Sequence, residues 1–268
     1  MPVIPSEGTA CPPWRKESLD SSARARDVST SLDMTEGLFA ALNVYNDITP
    51  RSAAANMSID EALLRSASIP TIRFYRWHSP ALSFGYFGKF SDVAIHAVTR
   101  DLVRRWTGGG IVFHGDDLTY SIVIPASDPT FDESSIALYE RIHRALADAL
   151  SGVGERAVVA GGVDPGGIAL SKHAAVNGSG YNCFANPVRA DVIMDGRKIA
   201  GAAQRRTRRG LLQQGSIQGI PTKSDLAQKF ARALSANCTE FVVNEQILER
   251  AQELAQEKYG TESWLRKR

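Results

Sequence analysis

Two side chains with reactive head groups, Cys183 and Lys198, lie fifteen residues apart in the second half of the chain. A thiolate is a strong nucleophile toward acyl groups, and a neighbouring ammonium lowers the pKa of a thiol and so increases its thiolate fraction. Lys198 follows the Asp-Gly dipeptide of VIMDGRKIAGAAQ, which predicts a hairpin with the lysine just after its turn. The pair has the residue types for carrying an acyl group on sulfur. The alternative is a small buried apolar cysteine and a solvated lysine.

A second stretch, residues 104–121, reads RRWTGGGIVFHGDDLTYS. Three consecutive glycines have no Cβ to obstruct a ligand and can adopt positive φ, so an extended apolar ligand could lie directly on this backbone. The alternative interpretation is a tight hairpin turn with a charged rim. The spacing matches neither a P-loop nor a GxGxxG turn, so we do not expect a nucleotide-phosphate cradle.

The elements that must position these residues follow from apolar periodicity. Residues 56–67 form an amphipathic pattern, with Asn56 or Ser58 as the expected N-cap and Glu61 completing a capping box with Ser58. Residues 151–182 are rich in Gly, Ser and Ala and predict a loop that either closes over a pocket or is slack surface. The remaining predicted elements are strands at 38–45, 71–79, 81–88, 111–113 and 118–125, a helix at 135–150, and helices from residue 223 onward.

The composition indicates a globular protein: 43% of the 268 residues are hydrophobic and 22% are charged. A net charge of +2 does not suggest a nucleic-acid partner, and the chain has no apolar stretch of about 20 residues that could span a membrane. The first residues lack the features of a signal peptide, and acidic residues argue against a transit peptide. The three cysteines have no metal-ligand spacing and fit reduced thiols, so we expect a cytoplasmic protein. Residues 1–35 predict a disordered tail, or a misassigned start upstream of Met34.

The glycine stretch resembles the RRxTGGGxVxH segment of the lipoate-protein ligase and octanoyltransferase family, whose catalytic domain is of the biotin/lipoate protein ligase type. The order NMSIDEALL, PTIRFYRW, SFGYF resembles the opening of that family, and the resemblance extends over residues 38–268. A further pattern resembles the cysteine-dependent octanoyltransferase branch of the family in particular. It consists of CF, then DGRKIAGAAQRR, then QGSI. The sequence departs from the family pattern in two places. The ligases' Arg-Asn-Asp is here Arg189, Ala190 and Asp191, and the family's frequent His-Gly or His-His-Gly is here Gln213, Gln214 and Gly215. We therefore assign no acid–base role to the glutamine segment that replaces histidine.

The resemblance implies roles for particular residues of this chain. Cys183 would be the nucleophile, and Lys198 would lower its pKa and hold the acyl carbonyl. No residue is assigned to a metal. The implied substrate-binding residues are Arg104, Arg105, Gly108, Gly109, Gly110, His114, Gly201 and Ala202.

The implied fold is α+β: a mixed, mainly antiparallel sheet flanked by helices, as in class II aminoacyl-tRNA synthetases and biotin–lipoate ligases. Residues 36–268 are expected to form a single catalytic domain, because only about fifty residues follow Gly215 and leave no room for another domain.

The implied function is acyl transfer in protein lipoylation. An octanoyl or lipoyl group would move from acyl carrier protein or a lipoyl domain, through a Cys183 thioester, to a lysine of a lipoyl domain or a glycine cleavage H-type protein. A thioester is already activated, so neither step needs ATP. One alternative is an ATP- and Mg-dependent lipoate-protein ligase. Another is a non-catalytic protein that binds acyl groups or carriers.

A basic cluster follows the predicted hairpin and consists of Arg205, Arg206, Arg208 and Arg209. We expect these side chains near the pocket mouth, where they could dock acidic carrier domains, since clustered charge raises association rates. A solvated face is the alternative interpretation.

Overall fold

The computed structural model describes residues 37–161, 188–220 and 225–267. All of them belong to one compact unit, Thr35–Arg268. The predictions for residues 1–35, for most of the Gly-Ser-Ala-rich stretch and for Cys183 therefore lie outside the described residues.

An eight-stranded sheet forms the centre of the unit, in the order β11-β1-β2-β6-β10-β9-β8-β7. Strand β1 pairs in parallel with both of its neighbours, and every other pair in this sheet is antiparallel. The strands are β1 Leu42–Asn46, β2 Thr71–Tyr75, β6 Leu118–Pro125, β7 Ala157–Val159, β8 Val192–Met194, β9 Arg197–Thr207, β10 Gly210–Ile217 and β11 Cys238–Glu240.

A second sheet has three strands in the order β4-β3-β5, which are β3 Ala81–Phe84, β4 Asp101–Arg104 and β5 Ile111–His114. Strands β4 and β5 both pair with β3 and not with each other. The glycine segment between them is therefore a connection across β3, and the hairpin-turn interpretation of this segment is wrong.

Helices cover both faces of the large sheet, so the predicted α+β fold is confirmed. The apolar side chains of β6 show why: Ile122 and Ile124 pack toward α2 and α3, whereas Val123 packs toward α1 and α4. The helices are α1 Ala53–Ser66, α2 Ser135–Gly152, α3 Leu226–Leu234, α4 Glu245–Leu254 and α5 Glu262–Leu265, with a π-helical turn at Ala255–Tyr259 and 3₁₀ turns at Phe90–Asp92, Ala94–His96 and Pro129–Asp132. Among the described helices, none combines the length and the apolar character needed to cross a membrane.

Helix α1 begins earlier than predicted. The hydroxyl of Ser52 accepts from the backbone N–H of Ala55 and caps the helix, so the prediction of Asn56 or Ser58 as N-cap is wrong. Both of those residues are buried inside the helix. The Asp-Gly hairpin is confirmed, because Asp195 and Gly196 both have positive φ between β8 and β9.

Arg104 ends β4 with its side chain buried, 1% exposed. Its guanidinium donates to five backbone carbonyls, those of Tyr86, Gly88, Trp264, Leu265 and Lys267. The side chain therefore fastens the segment around α5 to the small sheet. It does not line the cavity described below, which departs from the predicted substrate-binding role.

Replacing Arg104 with lysine is expected to lower the free energy of unfolding by about 2–4 kcal/mol, because an ammonium cannot reach five carbonyls as the planar guanidinium does. The measurement is urea unfolding. Arg141→Lys, at a partly exposed ion pair with Glu133, is the control and should change the value by less than about 0.5 kcal/mol. Equal midpoints for the two variants would contradict the anchoring role.

Candidate active site

A cleft lies between the large sheet, the small sheet and α1. It encloses about 470 Å³ when its open mouth is included. Its walls combine apolar and polar side chains and several small residues: Met57, Tyr75, Trp77, Ser83, Arg105, Gly109, Val112, His114, Thr119, Lys198, Gly201, Ala202, Ala203, Gln214, Gly215 and Ser216.

Lys198 enters this cleft as an almost fully buried side chain, 6% exposed, and its Nζ lies 2.8 Å from Oδ2 of Asp191. The Asp191 side chain is fully buried. Its carboxylate also accepts from the hydroxyl of Tyr139 at 2.7 Å and from the backbone N–H of Val188 at 2.7 Å. Tyr139 in turn accepts from the backbone N–H of Ala202 at 3.0 Å. The lysine side chain is thus fixed against one wall of the cleft.

Tyr139 belongs to α2 and Asp191 directly precedes β8, so the lysine is positioned by elements distant in sequence from its own strand. Burial and the negative charge of Asp191 raise the pKa of Tyr139 far above its usual range. Tyr139 therefore stays protonated and donates to the carboxylate. Val188, five residues after Cys183 in sequence, is tied to the same carboxylate.

Gly201 makes room for the lysine. A Cβ at this position would lie 2.5 Å from Cε and 2.7 Å from Nζ of Lys198, and 3.1 Å from Oδ1 of Asp191. The lysine head group therefore lies directly on the β9 backbone. A larger residue at position 201 would collide with it, which explains the small residue there.

Gly201→Ala is expected to lower kcat of the reaction that takes place in this cleft by roughly 10- to 100-fold, because the methyl group displaces the lysine head group by about 1 Å. Stability should change little, since the displaced atoms end a flexible side chain. The measurements are steady-state kinetics and urea unfolding. Gly152→Ala, where a Cβ meets only Cδ of Lys229 at 3.5 Å, is the matched control. Unchanged kinetics in Gly201→Ala would refute the steric argument.

His114 lies on the opposite side of the cleft in a chain of short hydrogen bonds. Its Nδ1 is 2.8 Å from Oδ2 of Asp117, and its Nε2 is 2.7 Å from Oγ of Ser83. The indole of Trp77 stacks on the imidazole with ring centroids 4.0 Å apart. His114 therefore lines the cleft, and its hydrogen-bond partners were not predicted from the sequence.

The charge states of this group follow from its surroundings. Asp117 accepts from His114, Ser216, Thr119 and the backbone N–H of Gly115. Although burial opposes ionisation, these donors hold the pKa of Asp117 down at about 2. Burial lowers the pKa of His114 below its usual value, and the charge of Arg105 acts in the same direction. At neutral pH the pair is a carboxylate and a neutral imidazole.

Arg105 organises the glycine segment. Its guanidinium donates to the carbonyls of Gly108 at 3.0 Å and Gly110 at 2.9 Å, and to the hydroxyl of Ser83 at 2.7 Å. Gly109 has φ of +85° and lines the cleft. Of the six candidates in this segment, Arg105, Gly109 and His114 line the cleft. Gly108 and Gly110 support the wall through their carbonyls.

The side-chain amide of Gln214 is buried. Its Nε2 donates to Asp60 at 2.7 Å, and its Oε1 accepts from Thr107 at 2.8 Å. The Gln214 amide therefore links Asp60 to Thr107 in the wall of the cleft. Asp60 also binds the buried Arg73, so this network is a support of the cleft wall.

The basic cluster is not a single patch. Arg205 stacks on Tyr86 and Trp106, whereas Arg206 packs on Phe131 and donates to the carbonyls of Phe131 and Glu133. Neighbouring residues of a strand point to opposite faces, which separates these two arginines.

The other two arginines, Arg208 and Arg209, are exposed in the β9–β10 turn. That turn lies roughly 30 Å along β9 from Lys198, at about 3.4 Å per residue. The expectation that all four arginines surround the mouth is therefore wrong.

Comparison with known proteins places the chain in a family. The model of the lipoyl protein ligase A/B catalytic domain matches residues 52–256. Octanoyltransferase LipM of Oceanobacillus iheyensis is 40% identical over 177 residues, 63% of this chain and 61% of the relative. Octanoyltransferase LipM of Symbiobacterium thermophilum is 31% identical over 270 residues, 81% of this chain and 96% of the relative. The aligned segment thus spans less than two thirds of the first relative and nearly all of the second.

Solved structures share the fold. Lipoate-protein ligase A bound with ATP has a TM-score of 0.63 at 23% identity, over 86% of this chain and 98% of that chain. The bipartite lipoate protein ligase of Thermoplasma acidophilum has a TM-score of 0.59 at 22% identity, over 85% of this chain and 95% of that chain. At this identity the likeness shows the fold alone.

Proposed function

Since this chain belongs to the lipoyl protein ligase A/B catalytic domain family, we propose that it is an octanoyltransferase of protein lipoylation that works through a Cys183 thioester. The observation that carries the proposal is the buried ammonium of Lys198 in the cleft, fifteen residues after a cysteine in sequence. The names of the relatives aligned above support the same activity.

The first step transfers the acyl group to the enzyme. The thiolate of Cys183 attacks the carbonyl carbon of an octanoyl thioester on acyl carrier protein, the carbon–sulfur bond to the carrier breaks, and the carrier thiolate takes up a proton. Lys198 supplies positive charge that favours the thiolate and can donate to the carbonyl oxygen as negative charge develops there. Asp191 and Tyr139 keep the ammonium in place.

The second step forms the amide. The neutral ε-amine of a lysine on a lipoyl domain, or on a glycine cleavage H-type protein, attacks the thioester carbon. The carbon–sulfur bond breaks, Cys183 leaves as a thiolate, and the nitrogen loses a proton to water. Because the acyl group arrives as a thioester, no ATP is required. A lipoate-protein ligase would instead begin from a free carboxylate and form an acyl-adenylate with ATP and Mg²⁺.

Two parallel assays test this proposal. The chain is mixed with octanoyl-acyl carrier protein and a lipoyl domain without nucleotide, and separately with free lipoate, Mg-ATP and the same domain. Intact-protein mass spectrometry should show one octanoyl group on the enzyme and then on the acceptor in the first assay. Acceptor modification only in the second assay would establish the ligase instead. No acyl uptake in either would indicate a binding protein.

The docking surface for an acidic carrier domain lies, we propose, on the groove formed by Tyr86–Ser91, Arg104, Arg266 and Lys267. Phe87 is 85% exposed there, beside the exposed cations Lys89 and Lys267. The groove adjoins the cleft, because Gly85 packs against Gly109, where a Cβ would overlap the glycine carbonyl. Exposed cations around an apolar side chain fit a partner with acidic residues around an apolar spot.

Charge reversal can locate this surface. Lys89→Glu with Lys267→Glu is expected to lower kcat/KM for octanoyl-acyl carrier protein about tenfold at low salt, and the loss should shrink as salt is raised. Arg208→Glu with Arg209→Glu makes the same change in net charge at the distant turn and should lower kcat/KM much less. A small octanoyl thioester should react equally with both variants. Equal losses for the two variants would refute the location, because only net charge would then matter.

A further inference from the structure

We propose that Ser83 is a second acyl-accepting nucleophile of the cleft, activated by His114 and Asp117. This would give the chain a hydrolytic activity on medium-chain acyl esters that does not need Cys183. The proposal goes beyond octanoyl transfer and does not depend on it.

The hydrogen-bond directions follow from the charge of Asp117. Its Oδ2 accepts from the hydroxyls of Thr119 at 2.8 Å and Ser216 at 2.7 Å, and lies 2.8 Å from Nδ1 of His114. A carboxylate can only accept, so Nδ1 must carry the proton. Nε2 then has a lone pair, and the Ser83 hydroxyl donates to it at 2.7 Å. Nucleophile, base and orienting carboxylate are thus connected in the order that serine hydrolases use.

Arg105 places a positive charge beside the proposed nucleophile, Ser83. Its Nη1 donates to Oγ of Ser83 at 2.7 Å, while Nη2 is fixed by the carbonyls of Gly108 and Gly110. A fixed cation stabilises the alkoxide character that develops on Oγ as the proton leaves. The same charge helps to keep the resting imidazole neutral and therefore able to accept that proton.

The relay formed by Ser83, His114 and Asp117 faces the same section of the cleft as Lys198. In the large sheet, Ser216 pairs in register with Thr119 on one side and with Gly201 on the other. Asp117 accepts hydrogen bonds from Ser216 and Thr119. The Lys198 ammonium lies against Gly201. Ser83 and Lys198 both line this cleft, together with the apolar Met57 and Val112. An acyl ester bound there meets a nucleophile and a cation for its carbonyl oxygen.

The reaction balances with water as the only co-reactant. Oγ of Ser83 bonds to the carbonyl carbon and its proton moves to Nε2 of His114. The bond from carbon to the leaving oxygen or sulfur breaks, and the leaving group takes that proton as an alcohol or thiol. Water then attacks the seryl ester and gives its proton to His114, which returns it to Oγ as the carboxylic acid leaves.

The test uses the full chain carrying Cys183→Ala, with p-nitrophenyl octanoate as the probe. We expect release of p-nitrophenol and an octanoyl mass on the peptide that contains Ser83. Adding Ser83→Ala or His114→Asn should reduce the rate by roughly 10²-fold or more. Ser58→Ala, at a buried serine that bonds only the Ala54 carbonyl among the described contacts, is the matched control and should leave the rate unchanged.

A fluorophosphonate supplies a second measurement that needs no substitution at the relay, because it labels activated serines in the unsubstituted chain. Labelling at Ser83 is expected. An unchanged hydrolysis rate after Ser83→Ala in a folded variant, acylation at another residue, or no labelling of Ser83 would overturn the proposal and leave the relay a structural clamp. None of these results bears on transfer through Cys183, which the carrier assay measures separately.

Discussion

The proposed octanoyl transfer from acyl carrier protein should fall by roughly 10³-fold or more when Cys183 is replaced by alanine, because the variant lacks the thiol on which the covalent intermediate is proposed to form. The variant should still bind the donor, so the loss is expected in kcat and not in KM. The readouts are single-turnover acylation followed by intact-protein mass spectrometry, and steady-state modification of a lipoyl domain. The octanoyl adduct of the unsubstituted chain should be released by hydroxylamine, as a thioester is.

Cys238 provides the matched control for that experiment. It is a half-buried thiol that donates to the carbonyl of Ser235, and it is not among the residues that line the cleft. Burial raises the pKa of this thiol, which makes it a poor nucleophile. Cys238→Ala should therefore retain the full rate. A wild-type rate in Cys183→Ala, or a loss in Cys238→Ala, would show that the nucleophile is wrongly assigned.

Replacing Lys198 with methionine should have two separable effects. Acylation of the enzyme should slow by roughly 10²- to 10³-fold, as expected when a fixed donor to a developing oxyanion is removed. The fold should also be destabilised by about 3–5 kcal/mol, because the buried carboxylate of Asp191 is left without its cation. Single-turnover acylation measures the first effect, and urea unfolding measures the second.

A double variant separates the two effects. Lys198→Met together with Asp191→Asn buries a neutral pair, so most of the lost stability should return while acylation remains slow. The rate of thiol alkylation by iodoacetamide gives a further readout. Loss of the ammonium raises the thiol pKa, so the alkylation profile should move to higher pH. If the double variant recovered both stability and rate, Lys198 would act only by supporting the fold.

The sequence predicted much of this arrangement because its local signals were strong. The Asp-Gly turn is a local signal of backbone conformation, and it correctly placed Lys198 at the start of β9. The amphipathic patterns identified α1 and α2 even where the first turn of α1 was misplaced. The fold class followed from the family resemblance and from the alternation of strand and helix patterns.

Other features depend on side-chain direction, which a motif does not state. Arg104 and Arg105 are consecutive, so they leave the chain in opposite directions, and only Arg105 reaches the cleft. The same alternation divides Arg205 from Arg206, and it could have been anticipated once β9 was predicted as a strand. The residues that hold Lys198 could not have been anticipated in this way, because Tyr139 is 52 residues from Asp191 and only the tertiary fold brings them together.

The anchoring of Arg104 has a consequence for how the protein forms. Its carbonyl partners at Trp264 and Leu265 lie 160 and 161 residues further along the chain. At ribosomal rates of about 5–20 residues per second, they are synthesised roughly 8–30 s after the arginine. Until then the guanidinium has only the carbonyls of Tyr86 and Gly88 as native acceptors, and its Nε and Nη2 groups must stay hydrated. The contact between the small sheet and the segment around α5 is therefore completed late in synthesis, after the residues up to Lys267 have been made.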